Sequence, residues 1–209
     1  MQPYIVRQGD YLLKIAMRIP CPVKAIWDAP ENAELRRARD PNLLYPGDVL
    51  WVPQPQRRWL PVTTASTTRL TTTVPSTPLR LVFGDPDAPW AGNACVVSGL
   101  GGDDLQRTTD SEGALTLEAP AHVDVVTVRF PDADASFFVF VGHMDPIDTP
   151  TGALKRLHNL GYCDIASAQA DPDSALCMAV AAFQEDQDIG ITGELDDDTR
   201  AALLEAHGS

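Results

Sequence analysis

Two residue pairs, His122-x-Asp124 and His143-x-Asp145, have the types that metal or general acid–base chemistry uses. Two imidazoles and two carboxylates would suit a zinc ion. The supporting patterns are missing, however. There is no His-Glu-x-x-His, and no Ser-x-x-His or Glu-x-x-His of metallopeptidases. Val123 starts a strand candidate, and period-two alternation sends His122 and Asp124 to the same face, read as a solvent face. Cys95 sits in Ala-Cys-Val-Val-Ser-Gly, without the Ser-x-Gly-Cys of a thiol nucleophile loop. The acidic run Glu194–Asp198 lacks the Asp-x-Asp-x-Asp-Gly spacing of a calcium loop. It reads as the N-terminus of a helix, where the dipole favours acids. Carboxylate pairs are easily found among 29 acids, so they carry no argument for glycosidase chemistry. The expectation is no catalytic residue, no metal and no cofactor. Cys21, Cys95, Cys163 and Cys177 are far apart with no Cys-x-x-Cys, and are expected to be free, buried thiols. Cys163–Cys177 is the one bridge worth testing.

Composition narrows the classes further. The 209 residues carry a net charge of −13, which would repel nucleic acid and anionic lipid. Hydrophobic residues at 44% suffice for packed cores. No stretch approaches the roughly 20 apolar residues of a spanning helix, so membrane insertion is not expected. The first residues, Met-Gln-Pro-Tyr-Ile-Val-Arg, are not a basic start followed by an apolar run. A cytoplasmic chain is expected, or one exported by a non-Sec route to the periplasm or a target cell.

The charge divides the chain in three. Residues 1–58 hold nine Lys/Arg and six Asp/Glu, a net of +3, whereas residues 59–148 and 149–209 are each −8. In the first part, Tyr4-Ile5-Val6 form a strand candidate ahead of Gly9-Asp10. Leu12, Leu13, Ile15, Ala16 and Ile19 then recur at helical spacing, with Asp10 placed as the N-cap. A second helix is expected at Lys24–Asp28, continuing in Glu31–Arg39, and a strand at Val49–Val52. The unit is βααβ. Residues 63–77 contain eight Thr and two Ser. They read as β-branched strands with Val62, Leu70 and Val74 on one face, or as a linker. Strand candidates follow at Leu79–Phe83, Ala94–Ser98, Ala114–Leu117, Val123–Phe130 and Phe137–Val141, separated by turn clusters, as in a β-sandwich. The last part reads as three short helices. Leu154, Leu157 and Leu160 end at a Gly161 cap, Ala175–Phe183 follow, and a final helix is capped by Thr199 or one of Asp196–Asp198.

Several of these residues match family patterns. Tyr4, Val6, Gly9, Asp10, Leu12, Ile15, Ala16, Asn32, Leu44, Gly47, Leu50 and Pro53 stand as they do in a LysM domain, which residues 4–53 resemble. That resemblance implies recognition of the N-acetylglucosamine backbone of peptidoglycan or chitin. The implied groove comprises Gly9, Asp10, Tyr11, Leu12, Leu44, Tyr45, Pro46 and Gly47. Tyr11 replaces the family's usual small Ser or Thr, and Glu31–Asn42 is longer than usual. A LysM module that docks protein rather than sugar is the second reading. Leu154, Leu157, Leu160-Gly161-Tyr162, Ala179-Val180, Phe183-Gln184, Gly190, Gly193, Thr199 and Leu203 resemble the three-helix peptidoglycan-binding domain. Its first Asp-Gly-x-x-Gly turn is replaced by residues 163–174. The middle part, with Ala91-Gly92 and Thr109-Asp110-x-x-Gly113, is similar to prealbumin-like β-sandwiches.

The expected fold is therefore multidomain α+β. Residues 1–57 are a LysM-like domain, 58–147 a prealbumin-like β-sandwich, and 148–209 a three-helix peptidoglycan-binding-like bundle. The resemblances imply a bacterial, non-catalytic, carbohydrate-binding protein whose partner is the peptidoglycan glycan strand. Together the three modules also resemble accessory proteins of type VI and phage-like contractile injection systems, which implies spike or baseplate proteins as alternative partners. A cryptic cell-wall hydrolase is the third reading.

Overall fold

The structure is a computed structural model and describes residues 1–55, 64, 65, 67, 69, 72–85, 87–168 and 171–208. It divides into two units. The first comprises Met1–Asn42 and Pro46–His143, and the second Leu43–Tyr45 and Met144–Ser209.

The first unit opens with β1 (Gln2–Ile5), α1 (Leu12–Arg18), α2 (Val23–Trp27), a 3₁₀ turn at Pro30–Asn32, α3 (Ala33–Ala38) and β2 (Val49–Val52). β1 and β2 are antiparallel, with Tyr4 opposite Leu50. Alternation buries Leu50 and Val52 on one face, while the helical spacing buries Leu12, Ile15, Ala16 and Ile26. Buried Asn32 ties helix to sheet. Its Nδ2 donates to the carbonyls of Ile26 and Trp51, both at 2.8 Å, and its Oδ1 accepts from Trp51 N at 2.8 Å. One expectation is corrected here. Tyr11, not Asp10, is the residue before α1, and its side chain makes no capping bond. Asp10 instead faces back along the chain, accepting from Arg7 N (3.0 Å), Tyr4 Oη (2.7 Å) and Arg18 Nη1 (2.5 Å).

Two antiparallel sheets follow. β3 (Ser76–Val82) pairs with β8 (Ala114–Pro120). β6 (Ala94–Ser98), β7 (Leu105–Thr108), β9 (Val125–Phe130) and β10 (Ala135–Phe140) form the order β10-β9-β6-β7. A small ladder of β4 (Gly84–Asp85) and β5 (Ala88–Pro89) precedes them. Leu115, Leu117 and Ala119 from one sheet and Val97, Val126, Val128 and Phe130 from the other share one buried cluster. Phe83, Trp90, Phe130 and Phe137 meet at its end, with ring centroids 4.9–6.1 Å apart. The Thr-Asp-x-x-Gly segment is a turn lock. Asp110 Oδ1 accepts from the amides of Glu112 and Ala114, both at 2.8 Å, which holds its carboxyl below the usual range. The expectations about Val62, Leu70 and much of the Thr-rich stretch lie outside the described residues. Thr72–Pro75 lack regular structure, and β3 begins at Ser76.

The second unit contains α4 (Pro150–Asn159), α5 (Ile165–Ala168), α6 (Pro172–Asp186) and α7 (Asp197–His207). Three helices were expected. The extra one, α5, lies between α4 and α6, within residues 163–174. Thr149, Asp171 and Asp196 cap α4, α6 and α7 by accepting from Gly152, Ser174 and Thr199 amides. Gly161 closes α4 with a Schellman pair: Tyr162 N donates to Leu157 O (2.9 Å) and Gly161 N to His158 O (3.0 Å). The core is Ala153, Leu157, Ala179, Val180, Phe183 and Leu203. No described helix is long and apolar enough to cross a membrane.

Gln184, fully buried, organises the turn before α7. Its Nε2 donates to Thr199 Oγ1 (2.8 Å), Thr192 Oγ1 (3.0 Å) and Glu194 O (3.2 Å), and its Oε1 accepts from Thr192 N and Gly193 N, both at 2.9 Å. Gln184→Ala leaves these groups unpaired and is expected to destabilise this unit by about 3 kcal/mol. Ellipticity at 222 nm during urea unfolding measures it. His207 supplies a pH test. Burial, then the Arg156 charge, pushes its pKa down from 6.5 to about 4. Its Nε2 lies 3.0 Å from Asn159 Nδ2 and accepts there in the neutral form. The unfolded chain takes up this proton near 6.5 and the folded chain only near 4. Stability of the helical unit therefore falls as pH drops through that window and is level above it. His207→Gln should flatten the slope in melting temperature between pH 7 and pH 4.5.

Candidate functional site

Of the eight residues expected to line a glycan groove, the first unit holds six: Gly9, Asp10, Tyr11, Leu12, Pro46 and Gly47. Leu44 and Tyr45 group with the second unit. Main-chain bonds root the two loops of the first unit together. Gly47 N donates to Val6 O and Val6 N to Asp48 O, both at 2.9 Å. Arg39 Nε pairs with Asp48 Oδ2 at 3.0 Å alongside. Leu12 N donates to Pro41 O at 2.9 Å, which fixes the start of α1.

The exposure of these residues is uneven. Gly47 is exposed and Pro46 half-buried, whereas Gly9, Asp10, Tyr11 and Leu12 are all buried. Asp10, Tyr11 and Leu12 retain 2%, 2% and 1% of their surface. Tyr11 belongs to the core of the two sheets, grouped with Val123 and Val141. Its ring carries the Lys14 ammonium 5.9 Å from the centroid. Lys14 is itself 2% exposed. Its Nζ donates to Gly9 O at 2.9 Å and forms an ion pair with Asp124. That bond, together with the ammonium's charge, holds the Asp124 carboxyl below its usual range, although burial opposes the shift.

Sequence reasoning missed this Lys14–Asp124 pair. The sequence carried no advance signal of it, because helical spacing puts Lys14 opposite the stripe of Leu12, Ile15 and Ala16. His122 and Asp124 are both exposed, but they precede β9 at a turn rather than in the strand expected from Val123, so strand alternation does not place them. Asp124 is nevertheless engaged by Lys14, while His122 sits beside Gly101. His143 and Asp145 fall in different units, and Asp145 Oδ2 accepts from Lys155 at 2.6 Å. Among the described residues no three His, Cys, Asp or Glu side chains gather as metal ligands. All four cysteines are free thiols. Burial pushes Cys95 and Cys163 up, away from the thiolate that nucleophilic attack needs. Cys163 Sγ donates to Leu154 O at 3.7 Å. Only Cys95 is buried; Cys21 and Cys163 are half-buried and Cys177 is exposed, contrary to the expectation of buried thiols throughout.

Two antiparallel strands bracket three short helices and a 3₁₀ turn rather than the two helices expected, with two loops meeting at one edge and Asn32 locking helix to strand. Residues 4–53 match the LysM domain family. LysM domains are binding modules for peptidoglycan- and chitin-like glycans, not catalytic domains. Neither a curated protein nor a solved structure matches the chain.

Tyr11 Oη is buried without a hydrogen-bond partner among the described residues, and burial pushes its pKa up. A phenol hydroxyl in that state costs about 1–3 kcal/mol. Tyr11→Phe retains the ring and removes the unpaired group. It should stabilise the first unit by about 1 kcal/mol. All four tryptophans precede residue 91, so tryptophan fluorescence in urea reads this unit.

Proposed function

We propose that the chain is a non-catalytic peptidoglycan-binding protein that targets or anchors itself to the bacterial cell wall. The LysM match over residues 4–53 is the observation that carries this reading. Gly9, Asp10, Tyr11, Leu12, Leu44, Tyr45, Pro46 and Gly47 would supply main-chain amides and carbonyls for the N-acetyl group and an apolar wall for the sugar ring. The +3 charge of residues 1–58 suits a carboxylate-bearing wall better than the acidic remainder does. The resemblance of residues 148–209 to the three-helix peptidoglycan-binding domain supports the same reading. A second weak site there would raise avidity. Non-catalytic action fits the occupation of Asp124 by Lys14 and the raised thiol of Cys95.

A second reading, a structural adaptor of a contractile injection system that binds spike or baseplate proteins, is favoured by one observation. The loop Gly9–Leu12 is buried within the first unit, as a LysM used for protein docking would have it. Export by a non-Sec route is compatible with either reading.

Co-sedimentation with insoluble peptidoglycan tests the first reading. The full chain should pellet with the polymer and be released by soluble N-acetylglucosamine oligomers. A chain that stays in the supernatant at every polymer concentration, yet co-purifies with a spike component encoded beside it, would replace the first reading with the second.

A further inference from the structure

The loop that the LysM resemblance assigns to sugar is covered by the chain's own β-sandwich. Gly142 packs against the Gly9 backbone and the Tyr11 ring, and Gly9 packs against the His143 ring. A Cβ on Gly142 would lie 2.7 Å from Tyr11 Cδ1 and 2.9 Å from Gly9 O, and one on Gly9 would lie 2.8 Å from His143 Nε2. Both glycines have positive φ, +82° and +78°. Gln8 Nε2 donates to His143 O at 3.3 Å, and Val141 N donates to Asp124 O at 2.9 Å, which places the Lys14 partner beside the same turn. Gly9 O, a main-chain acceptor that a sugar amide would need, is taken by Lys14 Nζ.

The cover has features of a contact that can open. Its ion pair is half wet: the Lys14 side chain is 2% exposed, but that of Asp124 is 67% exposed. The Tyr11 hydroxyl gains no hydrogen bond from being covered.

We propose that the β-sandwich is an intramolecular ligand of the LysM loop. Asp124 and Val141–His143 occupy the surface that an N-acetylglucosamine chain takes, so glycan and sandwich compete for it. The inference rests on the glycan-binding reading above. Competition lowers apparent affinity by the fraction of molecules in the open state. An opening equilibrium of about one in a hundred weakens binding about a hundredfold.

The test uses the full chain and two variants, Asp124→Lys and the conservative Asp124→Asn. Two readouts are taken: hydrogen exchange at amides 9–14, and calorimetric binding of chitopentaose. Asp124→Lys sets two ammonium groups against each other. It should speed exchange at 9–14 and tighten chitopentaose binding at least tenfold, with Asp124→Asn intermediate in both. Unchanged exchange in both variants overturns the latch, because the Lys14 pair would then not hold the cover. Faster exchange with affinity equal to that of the unmodified chain also overturns it, while leaving glycan binding intact. Faster exchange with no chitopentaose bound by any of the three proteins overturns the glycan reading itself, and the competition with it.

Discussion

An ammonium group withdrawn from water must have its charge and its donors met by the protein, and in the first unit Lys14 sets that requirement. Helical spacing puts Lys14 on the side of α1 opposite Leu12 and Ala16, yet it is only 2% exposed, so its head does not reach bulk water. Gly9 O satisfies one donor locally, and a carboxylate 110 residues away satisfies the charge. A pair with one buried and one exposed partner is weak evidence for added stability, since desolvating the ammonium offsets much of the attraction. Removing one partner would leave an uncompensated charge, so the arrangement fixes which surfaces meet. Tyr11, Gly142 and His143 then follow: the ring enters the sandwich core, and glycines are required where the two backbones touch.

The helical unit is organised the same way, by polar groups placed where water is absent. Arg156 is fully buried and donates from Nη1 to the carbonyls of Asp145 and Gly152, both at 2.9 Å. Gly152 is needed because a Cβ there would lie 1.9 Å from Pro146 O. Gln184 performs the corresponding task at the other end of the bundle. Apolar burial along α4, α6 and α7 is interchangeable to a degree, whereas these hydrogen bonds accept one geometry.

Most of the elements were legible in the chain, for local reasons. Ala94–Ser98 alternates cleanly and forms the strand read from it. The stripe at Leu154, Leu157 and Leu160 and the glycine after it specify α4 and its end. The strand Leu105–Thr108 was not legible, because Leu-Gln-Arg-Thr carries a single apolar residue and is held by pairing with β6. α5 was hidden because the four residues Ile-Ala-Ser-Ala are too short a run to show a helical stripe. The LysM pattern pointed to Gly9–Leu12 and Leu44–Gly47 but carried no sign that Gly9–Leu12 are buried. Asp10 shows why, since the same side chain that suits an N-cap also suits the turn that it closes with Arg7 and Arg18.

What the sequence determined by itself is the kind of module at residues 4–53, the periodicities of strands and helices, and the segregation of charge. Each depends on contacts between residues near in the chain, or on the side-chain type alone. The tertiary structure decided where Lys14 and Tyr11 go. A lysine on the helix face opposite the apolar stripe and a tyrosine in place of Ser or Thr are compatible with an open sugar groove or with a covered one. The choice depends on whether a carboxylate and a glycine turn more than a hundred residues away arrive at the same place. Chain spacing carries no record of that meeting, because it is an energy of charge pairing and packing that exists only once the sheets have formed.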